Sequence, residues 1–153
     1  MTPEVKELIK TATDSLKILD IVLFESKFER PERDPVKLGL EAVQQQKREV
    51  QFFLPSDEVV KSDDRHLQVL VSLGIRVVAA GDAENSIPMF VIEADFVVNY
   101  QMTDTIDSDC IKAFANHNSV HNVWPFWRQH VYDTIARARL PHVDIPLYSG
   151  VTT

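Results

Sequence analysis

Between Leu67 and Ala79 every second position is apolar or small: Leu67, Val69, Val71, Leu73, Ile75, Val77 and Ala79. Successive side chains of a strand point to opposite faces, so this pattern of period two predicts a strand with one face turned to a core. Phe90, Ile92, Ala94, Phe96, Val98 and Tyr100 repeat it. The segment Gly81-Asp82-Ala83-Glu84-Asn85 between them has turn chemistry, which predicts an antiparallel hairpin.

Two further extended stretches lie upstream. Leu16 to Glu29, LKILDIVLFESKFE, is rich in branched and aromatic residues and is stopped by Pro31. From Phe24 onward the alternation predicts Phe24, Ser26 and Phe28 on one face, with Glu25, Lys27 and Glu29 on the other. The run LDIVL before it is apolar on both sides and predicts a bulge or a strand covered twice. Val36 to Phe53 alternates at Val36, Leu38, Leu40 and Ala42, but its polar middle QQQKRE is expected to fray or break the strand. A loop is expected from Pro55-Ser56-Asp57.

Elsewhere the period changes to that of a helix. Val5, Leu8, Ile9 and Ala12 follow Thr2-Pro3, and Pro3 suits a first helical position. Asp107-Ser108 is placed to cap a helix running through Phe114 to His117, where Asn118-Ser119 is expected to interrupt it. Ser119 then caps a longer helix carrying the apolar stripe Trp127, Val131, Ile135 and Ala138. Arg137 and Arg139 oppose the negative end of its dipole, Pro125 marks its start or a kink, and Pro141 ends it. The tail VDIPLYSGVTT reads as extended. Four strands followed by a short and a long helix give an antiparallel α+β fold, in one domain over residues 1–153.

Composition narrows the functions. Sixteen basic against twenty-three acidic residues leave a net charge of −7, which argues against nucleic acid and anionic membranes as partners. Cys110 is the single cysteine, so no intrachain disulfide forms and a reducing compartment is expected. No apolar run approaches the roughly 20 residues a bilayer requires. MTPEVKELIK lacks the apolar core of a signal peptide, and a cytoplasmic location is the expectation.

Candidate chemistry is sparse. None of the four glycines falls in a phosphate-cradling pattern, and Ser119 and Ser149 lack a nucleophile-elbow context. His117 and His121 have the i, i+4 spacing of paired metal ligands, but no third ligand accompanies them; surface or capping roles fit better. Cys110 near His117 resembles a nucleophile and base only superficially, since a lone helical cysteine is usually a small buried apolar group. No catalytic residue, metal site or cofactor is expected, and no enzyme. What stands out is HNVWPFWRQHVYDTIARARLP, which holds both tryptophans of the chain. Trp124, Phe126 and Trp127 cannot share one helical face, so one side is expected to meet something other than the core. The acids Glu25 and Glu29 on the first strand, and Glu93 and Asp95 on the last, read either as a solvated face or as a docking patch.

Taken in order, these segments resemble the SecB family of export chaperones. ESKFERP (Glu25 to Pro31) is similar to the acidic end of that family's first strand, MFVIEADF (Met89 to Phe96) to its fourth, and WPFWRQHVYDTIARARLP to its long helix. The order and spacing hold from about Leu16 to Tyr148. The resemblance implies a four-stranded antiparallel sheet followed by helices, assembled as a dimer of dimers (a tetramer) with the stretch from Trp124 to Ile135 at a subunit interface. It implies an ATP-independent holdase for unfolded client polypeptides, working without metal or covalent chemistry. Phe28, Trp124, Phe126, Trp127, Val131 and Ile135 are then the candidate peptide-binding residues. Glu25, Glu29 and Glu93 match the surface that docks the SecA motor ATPase. Export members continue past the segment matching IPLYSG into another helix and tail, whereas this sequence ends at Thr153. SecB-like relatives that escort antitoxins fit such a chain equally well. The competing expectation is a non-chaperone oligomeric interaction module in which the aromatics serve only self-association.

Overall fold

The computed structural model describes residues 1–34, 42–54, 65–79 and 87–148. The expected turn at Gly81 to Asn85, the loop from Pro55, the beginning of the second strand at Val36 and the tail from Ser149 lie outside them.

α1 (Pro3–Thr13) opens as its sequence dictates, with the Thr2 hydroxyl accepting from the Val5 amide and Pro3 in the first turn. Ala12 is buried, and Leu8 and Ile9 pack against the core. Four strands follow: β1 (Leu16–Glu29), β2 (Ala42–Phe53), β3 (His66–Ala79) and β4 (Phe90–Met102). They form one antiparallel sheet in the order β1-β4-β3-β2. β2 does not break at its polar middle; every residue from Ala42 to Phe53 keeps its register with β3. Backbone pairing holds an edge strand whatever the polarity of its side chains, because most of those side chains reach water.

Register assigns the two faces. Val71 opposes Phe96, Leu73 opposes Ala94 and Ile75 opposes Ile92, so the odd residues of β3 and the even residues of β4 line the core. β1 carries two irregularities, between Ile18 and Asp20 and between Leu23 and Glu25. Each extra residue shifts the alternation by one, so Ile21 and Leu23, then Ser26 and Phe28, all point the same way as the even residues of β4. This corrects the expected grouping of Phe24 with Ser26 and Phe28. Phe24 stands at the second bulge and lines the opposite, open face with Val22 and Val97.

The core face is covered by helices. α2 (Ser108–Phe114) continues through a π-helical turn at Ala115–Ser119 into α3 (Val120–Ala138), with no interruption at Asn118-Ser119. Ser119 has helical backbone angles (φ −66°, ψ −38°) and makes no side-chain cap, and Asp107 makes none either. The wide turn absorbs the residues that would otherwise break the helix. It leaves the fully buried Ser119 hydroxyl 3.0 Å from the Tyr100 hydroxyl, to which the Asn122 amide also donates at 2.9 Å. Pro125 sits inside α3 and so does not mark its start.

Val123, Trp127, Val131 and Ile135 recur at helical spacing and bury one stripe of α3 on β3 and β4. α3 ends at Arg139, which takes left-handed angles (φ 57°, ψ 41°), and the Arg30 guanidinium at the end of β1 donates to the Ala138 carbonyl at 2.8 Å. Leu140, Val143 and Ile145 then tuck against the core as the chain returns along α3. Cys110 is buried. Among the described residues, no helix is long and apolar enough to cross a membrane.

Candidate functional site

A groove of about 260 Å³ runs between the β2–β3 edge of the sheet, α3 and the returning segment. Its floor is Leu73, Ile75 and Trp127, and its walls are Gln46, Arg48, Trp124 and Pro146 to Tyr148. Strand alternation explains the β2 side: Gln46 opposes Ile75 and Arg48 opposes Leu73, so the polar stretch turns every second side chain toward the groove. β2 is also an edge strand, and its outer backbone groups face away from the sheet.

The far wall is held by hydrogen bonds from α3. The Trp124 indole donates to the Pro146 carbonyl at 2.7 Å, and the Arg128 guanidinium to the Ile145 carbonyl at 2.9 Å. The Ile145 amide donates to the Tyr132 hydroxyl at 3.1 Å. These bonds satisfy the backbone of a segment with no regular structure and fix its path. At its end Tyr148 packs 5.3 Å from the Trp124 ring and 6.1 Å from His121. Its hydroxyl accepts from Arg48 at 3.1 Å, and the guanidinium lies 5.9 Å from the ring centre. Tyr148 thus bridges the returning segment to β2. Burial, then the nearby Arg48 guanidinium, then the N-terminal amino group push the His117 imidazole below its ordinary pKa.

The candidate peptide-binding residues are dispersed. Trp124 lines the groove, and Trp127 forms its floor while being only 2% exposed. Val131 and Ile135 are spent on the core. Phe126 is 51% exposed and does not line the groove, and Phe28 sits at the far end of β1 beside Pro31, Ile87 and Pro88. The apolar surplus expected around α3 lies largely on β1, where Ile18, Leu19, Val22, Leu23, Phe24 and Phe28 are all exposed. Sequence reasoning missed Arg48 and Tyr148. The alternation of Gln44, Gln46 and Arg48 carried a signal for the first; an isolated aromatic in an extended tail carried almost none for the second.

Glu25, Glu29 and Glu93 share the open face of the sheet, with Asp95 directly opposite Glu25. Two are partly neutralised, Glu93 by Lys47 at 3.6 Å and Glu29 by Lys27 at 3.5 Å. The Glu93–Lys47 pair spans β3 at Gly74, where an added Cβ would come within 3.2 Å of the Glu93 Cγ. Beside these charges, Val22, Phe24, Phe53, Leu70 and Val97 enclose an apolar hollow of about 390 Å³. Among the described residues no three His, Cys, Asp or Glu side chains come together as a metal site would require.

No protein-family model matches the chain, and no curated protein does. A solved structure does: the Mycobacterium tuberculosis SecB-like chaperone Rv1957, in complex with a ChAD peptide from the Rv1956 HigA1 antitoxin. It superposes with a TM-score of 0.72 at 17% sequence identity, over 94% of this chain and 97% of that one. Likeness at that identity is a likeness of fold. With its four antiparallel strands and the helices that follow them, this chain has the fold of a SecB-like chaperone.

Proposed function

We propose that this protein is an ATP-independent chaperone that holds unfolded, apolar polypeptide segments. The observation that carries the reading is the groove: aromatic and branched side chains beside an edge strand with outward-facing backbone groups. An extended client adds to the β2 edge through main-chain hydrogen bonds and buries every second side chain against Trp124, Leu73 and Ile75. Holding the unfolded form draws the client away from aggregation by mass action. The matched SecB-like chaperone holds an antitoxin peptide, which supports an extended peptide as the class of client here.

Among the described residues nothing covers the groove, which favours client binding over a module whose aromatics serve only self-association. Self-association remains part of the proposal, and the exposed apolar side chains of β1, an edge strand, support it. The second partner surface we propose is the open face. Glu25, Glu29 and Glu93 lie there together, a placement that supports docking of a basic partner such as the SecA motor.

The test is aggregation of a slow-folding client followed by light scattering without nucleotide. Suppression at stoichiometric amounts is the expected result, and Trp124→Ala is expected to weaken it. Unchanged aggregation overturns the proposal.

A further inference from the structure

Arg48 is out of keeping with the charges around it. On the open face the cations meet acids, Lys27 with Glu29 and Lys47 with Glu93. Arg48 points the other way, into the groove beside Leu73, and among the described residues no carboxylate lies within 4.0 Å of it. Its recorded partner is the neutral hydroxyl of Tyr148, which takes one of five guanidinium donors, while the tyrosine ring covers one guanidinium face. The remaining edge of the fork keeps the planar geometry that fits a carboxylate. On α3 and its π turn, His117 feels the Arg48 charge and His121 packs against Tyr148, and neither imidazole supplies an anion. The neighbouring acid on β2, Glu49, alternates to the open face opposite Ser72. Among the described residues, Arg48 is thus a cation without an anion at the mouth of the apolar groove, in a chain of net charge −7.

We infer that the groove selects extended segments carrying an acidic side chain beside an apolar one, with Arg48 reading the acid and Trp124, Leu73 and Ile75 taking the apolar neighbour. The inference rests on the proposal that peptides bind in this groove. Strand addition to β2 sets the spacing. Side chains of an added strand reach the groove at alternate positions, so the acid and the apolar residue are separated by one residue in the client. The intervening side chain faces the sheet's open side. Tyr148 holds the guanidinium in place before binding, which lowers the ordering cost of the contact.

The experiment uses the full chain and three labelled, unstructured peptides of equal length, in which Trp is preceded two positions earlier by Glu, Ala or Lys. Fluorescence anisotropy at low salt is expected to show the Glu peptide binding about fivefold more tightly than the Ala peptide, the scale of a partly exposed ion pair, with the Lys peptide weakest. The advantage is expected to vanish at about 0.5 M salt, where the screening length is only a few ångströms. Arg48→Glu is expected to reverse the order. Equal affinities for the three peptides overturn the charge reading and leave the groove reading standing. Binding of none of them overturns both. A Glu preference that persists unchanged in Arg48→Glu, or in high salt on the unaltered protein, assigns the selectivity elsewhere and overturns the role of Arg48; the salt measurement decides even if the variant does not fold.

Discussion

The two faces of the sheet are built on the same backbone and the same four strands, yet they obey different rules. The face toward α3 is closed apart from the groove at its β2 side: Leu67, Val69, Val71, Phe90, Ile92 and Val98 are fully buried there. The open face mixes an apolar hollow around Leu70 and Phe24 with acids, lysines and an amide ladder, in which Gln68 donates to Asn99 and Asn99 to Asp20. Side chains one position apart in β3 thus differ in nearly everything but their peptide bonds. The core face stabilises the chain through packing density, whereas the open face keeps its side chains soluble and available to partners.

Two leucines of β3 test this contrast most directly. Leu73 is 2% exposed in the core, and Leu73→Ala is expected to cost about 2–5 kcal/mol of unfolding free energy by urea titration. Leu70 lines the open hollow, and Leu70→Ala is expected to cost about 1 kcal/mol, since only part of its surface is removed from water. Equal costs would show that something covers the open face in solution.

The next effect comes from the buried hydroxyl pair of Tyr100 and Ser119. Tyr100→Phe leaves Ser119 and Asn122 without their shared partner and is expected to cost about 1–2 kcal/mol, by the same titration. Burial with two hydrogen bonds still raises the Tyr100 phenol above its ordinary pKa, because loss of water outweighs the bonds.

A smaller effect is expected from pH. Burial first, then Arg48, depresses the pKa of His117; burial first, then Arg137, depresses that of His130 against the opposing pull of Asp133. Both imidazoles bind protons more readily in the unfolded chain, where they titrate near 6.5. Their contribution to stability is therefore complete above about pH 6.5 and is lost as the pH falls below it. The urea midpoint should drop between about pH 7.5 and 5.5, and a His117→Gln, His130→Gln double variant should flatten part of that slope. Smallest of all is Glu93→Gln, which removes the partly exposed pair with Lys47 and is expected to shift stability by less than about 1 kcal/mol. The same change is expected to slow association with a basic partner at low salt, measured by stopped flow, and a solvated face without a partner would show no such effect.

The sequence by itself determined the elements whose periodicity is strong. β3 and β4 alternate without interruption, and the stripe Trp127, Val131, Ile135 and Ala138 repeats at helical spacing, because burial on one face imposes a period that local reading detects. It also determined the character of the open face, where Glu25, Glu29 and Glu93 fall on polar positions. Only the tertiary structure decided what depends on partners distant in the chain. The bulges of β1 are set by its register with β4, and they moved Phe24 away from Phe28. The π turn joins α2 to α3 where Asn118-Ser119 reads as a stop, because the buried Ser119 hydroxyl finds Tyr100 instead of a helix end. The groove exists only because Tyr148 returns to Arg48 across a hundred positions of chain. Propensity is summed over neighbours in sequence, but a groove wall is made by neighbours in space, and no local pattern encodes that encounter.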